Sequence, residues 1–137
     1  VLGLVGGGGA ARSTASAWAR SGGRIRVLQS KRALENGPWG DNMTDETPDV
    51  IVDFDGTWKA DGDMLVLSSA YAPMDGDYDA RIESLVGPSL NGRWMLVAQH
   101  LACWSQLWAP EMAGHLPSLP LLLTRLVEAE LMLASYA

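Results

Sequence analysis

Cysteine is nearly missing from this chain: Cys103 is the one thiol in 137 residues. That excludes a disulfide framework and any cysteine-based zinc site, and it points to a reducing, cytoplasmic setting. Long apolar runs are missing too, and none reaches the ~18 residues needed to span a bilayer. The opening VLGLVGGGGAAR lacks the basic segment and long apolar core of a signal peptide. Charge is scarce at 19% against 47% apolar residues, a balance that excludes disorder and collagen-like repeats. One domain spanning residues 1–137 is therefore expected, with no membrane partner.

Acids are absent from the first third. Residues 1–32 carry Arg12, Arg20, Arg24, Arg26, Lys31 and Arg32 and no Asp or Glu, while the rest holds four bases and all sixteen acids. A positive first third favours a small anionic ligand there. The acidic remainder argues against nucleic acid, whose binding depends on neutralising many phosphates.

What is present begins with Val1–Val5, apolar throughout, which reads as a strand buried on both faces. Gly6–Gly9 follow, and Ala11, Ala15, Trp18 and Ala19 then recur at helical spacing until Ser21-Gly22-Gly23 stops the helix. RIRVLQ alternates as a second strand with Ile25 and Val27 inward. Strand, glycine turn, helix and strand make a βαβ unit.

Gly6, Gly8 and Ala11 satisfy G-x-G-x-x-[GA]. The first allows the tight turn, the second lets a pyrophosphate approach the backbone, and the small third lets helix pack on strand. Phosphates would meet free N–H groups and partial positive charge at the helix start. A tight turn without a ligand would use the same glycines. At the end of the second strand, where an acid would bind the ribose hydroxyls of NAD, stand Gln29-Ser30-Lys31-Arg32. That selects NADP, with Lys31 or Arg32 on its 2′-phosphate.

Further along, Ala33 to Pro48 is polar and turn-rich, so the second crossover is abbreviated. Asp49–Phe54 and Met64–Ser68 read as the third and fourth strands, separated by the loop Asp55–Asp63. Helices are expected at about Asp79–Val86, Trp94–Trp108 and Pro117–Ala134, the last apolar on more than one face. The fold class is α/β: a Rossmann-like, mostly parallel sheet with helices on both faces. Asp75-Gly76-Asp77-Tyr78-Asp79 opens like a calcium loop, but Ala80 and Val86 occupy the positions of its glycine and final glutamate, so no metal site is expected.

Four segments, in order, resemble the C-terminal NADP-binding domain of the shikimate and quinate dehydrogenases. VLGLVGGGGAAR is similar to that family's first strand and G-A-G-G-A-x-R loop, and PDVIVDF to its D-L-I-x-N-A-T strand. LVLSSAYAP is similar to its D-x-x-Y-x-P segment, keeping Tyr71 and Pro73. NGRWMLVAQHLACWSQLW is similar to its D-G-L-G-M-L-V-x-Q-A stretch at Gly92, Met95, Leu96, Val97 and Gln99. The resemblance implies phosphate contacts from Gly6, Gly8, Gly9, Ala10 and Arg12, a nicotinamide contact from Met95, and a substrate contact from Gln99. Without it, Met95 reads as a core filler and Gln99 as a solvated position.

The departures carry weight. Asp53-Phe54-Asp55 replaces N-A-T and puts two carboxylates near the cofactor, and Trp94 stands where a glycine would face the nicotinamide. The family's catalytic lysine and aspartate belong to a substrate domain that no segment here resembles, and hydride transfer to a carbonyl needs a proton donor. His100, His115 and Cys103 sit in no recognisable motif, so no catalytic residue is assigned. Two expectations follow from the resemblance. One is the NADP-binding half of an oxidoreductase that reduces 3-dehydroshikimate or a related ring ketone. It would be inactive without a substrate domain or partner chain, and self-associating through its apolar last helix. The other is a non-catalytic regulatory or ligand-sensing descendant, as in quinate-pathway repressors.

Overall fold

The computed structural model describes residues 1–137, and the chain divides into two compact units. The first comprises Val1–Ala70 and Pro88–Leu90, the second Tyr71–Gly87 and Asn91–Ala137.

The first unit is a five-stranded sheet built from β1 (Leu2–Val5), β2 (Ile25–Val27), β3 (Val50–Asp53), β4 (Leu65–Ser68) and β5 (Ser89–Leu90). Its order is β2-β1-β3-β4-β5, and every pairing is parallel. Leu2 pairs with Ile25 on one side and Val50 on the other, so β1 is central and wholly buried. That burial explains why it reads as an unbroken apolar run and not an alternation. Val5, Ile51 and Val66 form a core cluster, with Leu28 and Met64 packed against it.

Helix α1 (Gly9–Arg20) follows β1, with Ala11 and Ala15 buried. Two small residues four apart bring a helix close to its sheet. Trp18, expected on that inward stripe, is instead exposed, and its indole N–H donates to the Arg24 carbonyl at 3.1 Å. The ring is too large for the close approach that the alanines allow, so it covers the turn into β2. Gly22, at φ +79°, takes the left-handed conformation that ends the helix.

Between β2 and β3 the only helical segment is a 3-10 turn at Gly40–Asn42. Trp39 anchors this stretch in a buried position. Asn42 donates from Nδ2 to the Gly23 carbonyl at 3.0 Å, and Met43 forms one isolated parallel bridge to Ile25. β5, which the sequence reading did not anticipate, is two residues long and pairs with β4.

The second unit is helical: α2 (Tyr78–Ser84), α3 (Gly92–Cys103) and α4 (Leu119–Ser135). Each starts on a side-chain cap, with Asp77 accepting from Ala80 N–H, Asn91 from Arg93 N–H and Ser118 from Leu121 N–H. The acidic run at Asp75–Asp79 is thus a helix start. α3 ends earlier than its apolar pattern predicts, and the chain continues as a π-turn over Trp104–Trp108. Met74, Leu85, Val97, Leu123 and Val127 form the core.

Beside that core, Arg93 is buried and forms a two-point ion pair with Glu130, Nε to Oε1 at 2.9 Å and Nη2 to Oε2 at 3.0 Å. Its Nη1 donates to the Ala72 carbonyl at 2.6 Å. Removing one member strands the other charge in a partly buried place, whereas the exposed Arg125–Glu128 pair is held in solvent. Glu130→Ala is expected to cost on the order of 3 kcal/mol in urea unfolding, and Glu128→Ala less than about 1 kcal/mol. Equal effects of the two variants would contradict this assignment.

Candidate functional site

In a parallel sheet every strand delivers its following loop to the same edge. Here the loops after β1, β2 and β3 meet at the carboxyl edge of the three adjacent strands, where chain order reverses direction across β1. Open α/β sheets place ligands at such a point.

Gly6 takes φ +124°, a conformation closed to other residues without strain, and turns the chain out of β1. Gly7 has a different constraint. A Cβ there would run into the backbone carbonyls of Arg32 and Ala33, so only glycine allows the segment after β2 to pass over the turn. Gly8 and Gly9 meet nothing within 4 Å and face open space. Gly8 caps α1 without a side-chain acceptor, and the helix ladder begins with Arg12 N–H donating to the Gly8 carbonyl at 3.0 Å. The amides ahead of Arg12 have no acceptor within the helix. Gly9 and Ala10 are exposed, so this donor cluster lies at the surface.

Asp53 ends β3 with its side chain 1% exposed. One carboxylate oxygen accepts from Asp55 N–H and Gly56 N–H, both at 2.9 Å, and the other accepts from Trp58 N–H at 2.8 Å. Three backbone donors offset the cost of burying the anion. The acid that threatened to repel a cofactor is spent on shaping the loop that follows. Asp55 turns the other way and accepts from Lys31 N–H at 2.6 Å, while Lys31 Nζ donates to the Asp55 carbonyl at 3.1 Å. Between these two loops lies a cleft of about 370 Å³ lined by Gln29, Ser30, Lys31, Thr57 and Trp58.

The two arginines expected near phosphate are both paired. Arg12 Nη1 lies 3.2 Å from Glu35 Oε2, and Arg32 Nη2 lies 4.0 Å from Glu35 Oε1. Arg12 Nε is buried without a partner. The pairs are largely exposed, so each is weak enough to exchange for a stronger anion.

The first unit thus brings together Gly6, Gly8, Gly9, Ala10, Arg12, Lys31 and Arg32. Met95 and Gln99 belong to α3 in the second unit, Met95 half-buried and Gln99 exposed. Trp94 packs against the second unit's core, with its indole N–H donating to the Leu85 carbonyl at 2.8 Å. The roles of Gly7, Glu35 and Trp58 carry no sequence signal, because each depends on a loop crossing that local pattern does not encode.

The donor set suits a nucleotide phosphate. Gly8 and Gly9 leave room beside free amides, and Arg12, Lys31 and Arg32 supply cations at the two ends of the same edge. Asp55 opposes it, since its Oδ1 lies 3.5 Å from where a Gly6 Cβ would stand, but Lys31 lies against that residue.

Adjacent glycines should therefore respond with opposite signs. Gly7→Ala is expected to destabilise by about 1–3 kcal/mol through the backbone clash. Gly9→Ala should be neutral or stabilising by up to about 1 kcal/mol, since alanine favours the helix and meets no neighbour. Thermal unfolding of the two variants checks this, and equal losses would show that the strap does not contact Gly7.

Scans against family models, curated proteins and solved structures each return no match to this chain.

Proposed function

We propose that the chain is the NADP-binding domain of an oxidoreductase similar to the shikimate and quinate dehydrogenases. It would work with a substrate domain or partner chain to reduce 3-dehydroshikimate or a related ring ketone. The observation that carries this reading is the glycine turn. It leaves the central strand of a parallel sheet, opens α1 with unpaired amides, and is open to solvent at Gly8 and Gly9. The one-residue bridge at Met43 supports the same reading. It stands beyond β2, on the side where a dinucleotide-binding sheet has its next strand.

In this reading Gly8, Gly9 and Ala10 hold the diphosphate by their amides, Arg12 adds charge, and Lys31 or Arg32 takes the 2′-phosphate. The family resemblance would add a nicotinamide contact from Met95 and a substrate contact from Gln99. NADPH, when bound, supplies the hydride. The proton comes from the substrate domain, because His100, His115 and Cys103 lie in no constellation that positions one. The apolar side chains exposed on the second unit, among them Leu107, Trp108 and Leu133, favour self-association or cover by a partner chain.

One observation favours the non-catalytic, ligand-sensing reading. Where the resembled family has a leucine and a glycine, this chain has Arg93 and Trp94, both tied into the second unit's interior. Under that reading the phosphate site persists and the hydride acceptor does not.

Titration calorimetry should show NADP binding tighter than NAD by about tenfold to a hundredfold, as a charge-assisted phosphate contact is worth on the order of 1.5–3 kcal/mol. Lys31→Ala combined with Arg32→Ala should erase the difference. Gly8→Asp, which meets no steric obstacle, should abolish binding by placing an anion among the amides. Unchanged NADP affinity in Gly8→Asp would reduce the loop to a turn. Incubation of the 137-residue chain with NADPH and 3-dehydroshikimate should give no turnover, and light scattering should show dimers or larger species. Turnover by a monomer would overturn the requirement for a second domain.

A further inference from the structure

Residues 30–35 are fastened at three places, each by a different interaction. At one end Lys31 is bonded through both its amide and its ammonium to Asp55. In the middle the Arg32 and Ala33 carbonyls lie over Gly7, and the Ser30 hydroxyl donates to that same Arg32 carbonyl at 2.7 Å. At the far end Glu35 divides its two oxygens between Arg12 on α1 and Arg32 on the segment itself. The segment has no regular secondary structure, and residues 31–33 are exposed, so apolar burial contributes little to holding them. What holds them is charge.

The position of that charge matters more than its size. Glu35 is the first acid in the chain, and it lands on Arg12, the cation closest in sequence to the glycine turn, and on Arg32, whose carbonyl lies over Gly7. A carboxylate bridging two arginines beside a row of free amides imitates the anion those groups would bind. We propose that residues 30–35 form a strap held across Gly7 by an internal anion, in which the Glu35 carboxylate competes with a ligand's phosphate for Arg12 and Arg32. Binding a phosphate and releasing the strap are then one event. Arg12, whose Nε lacks a partner, gains a better one when the phosphate arrives. This inference rests on the proposed phosphate site and deepens it by naming what competes for its cations.

The test uses the full chain, Glu35→Gln, and a charge control. Asp45→Asn removes the same charge from the same unit, at an acid that pairs with no arginine. Amide hydrogen exchange over residues 30–35, measured on each protein alone, should accelerate at least about threefold in Glu35→Gln, because fraying of the strap no longer breaks an ion pair. Inorganic pyrophosphate should bind Glu35→Gln about threefold to tenfold more tightly than the unchanged chain. Asp45→Asn should match the unchanged chain in both measurements. NADP is titrated in parallel. If pyrophosphate tightens and NADP binds neither protein, the strap stands and the cofactor assignment falls. If NADP binds but exchange and pyrophosphate affinity are unchanged in Glu35→Gln, the strap is overturned and the cofactor assignment survives. Equal tightening in Asp45→Asn also overturns the strap, since the effect would then be general charge.

Discussion

The passage of the Arg32 and Ala33 carbonyls over the Cα of Gly7 is the contact on which the carboxyl edge of this sheet depends. It requires a residue without a side chain between the turn residue Gly6 and the helix cap Gly8, so Gly6 and Gly7 have separate reasons to be glycine. The crossing brings the loop after β2 across the end of β1 and into reach of the loop after β3. Without it, Lys31 could not bond Asp55, Glu35 could not reach Arg12, and the cleft beside Trp58 would lack a wall.

Anions at this edge are handled by a common device. Asp53, Asp55 and Glu35 stand beside a turn that would attract negative charge, and each has its oxygens satisfied from within. Backbone amides serve Asp53 and Asp55, the latter through Lys31 N–H, and two arginines serve Glu35. The consequences differ with burial. Asp53 is buried and structural, so its bonds are costly to break. Glu35 is exposed and paired weakly, so it can yield to a ligand. A carboxylate near a phosphate site is thus not by itself a sign of lost function; what matters is whether its charge is already satisfied.

Much of the first unit could be read along the chain because its strands are central and its signals local. Leu2–Val5 and Ile51–Val52 are apolar because they are buried. The stop at Gly22 and the small faces of Ala11 and Ala15 follow from helix geometry. What escaped the reading depends on position in three dimensions. Trp18 fits the helical spacing but not the narrow gap that the alanines create. β5 is too short to leave a periodic signal. α3 ends before its apolar pattern does, because a π-turn carries the same residue types onward. At the candidate site, Gly8 and the basic residues announced themselves by motif and charge. Gly7 and Glu35 did not, since each acts through a partner 20 or more residues away, and neither did the role of Asp53, which depends on how the loop after β3 turns its amides back onto the carboxylate.

The account's central claim is that the glycine turn receives phosphate as Glu35 gives up its arginines. Amide chemical-shift mapping of the whole chain during addition of NADP tests it directly, because each participating group reports separately. The largest shifts should fall on Gly8, Gly9 and Ala10, with a second set at Arg32 through Glu35 that saturates at the same NADP concentration. Shifts confined to the helical unit, or shifts at the turn with none in residues 32–35, would contradict it.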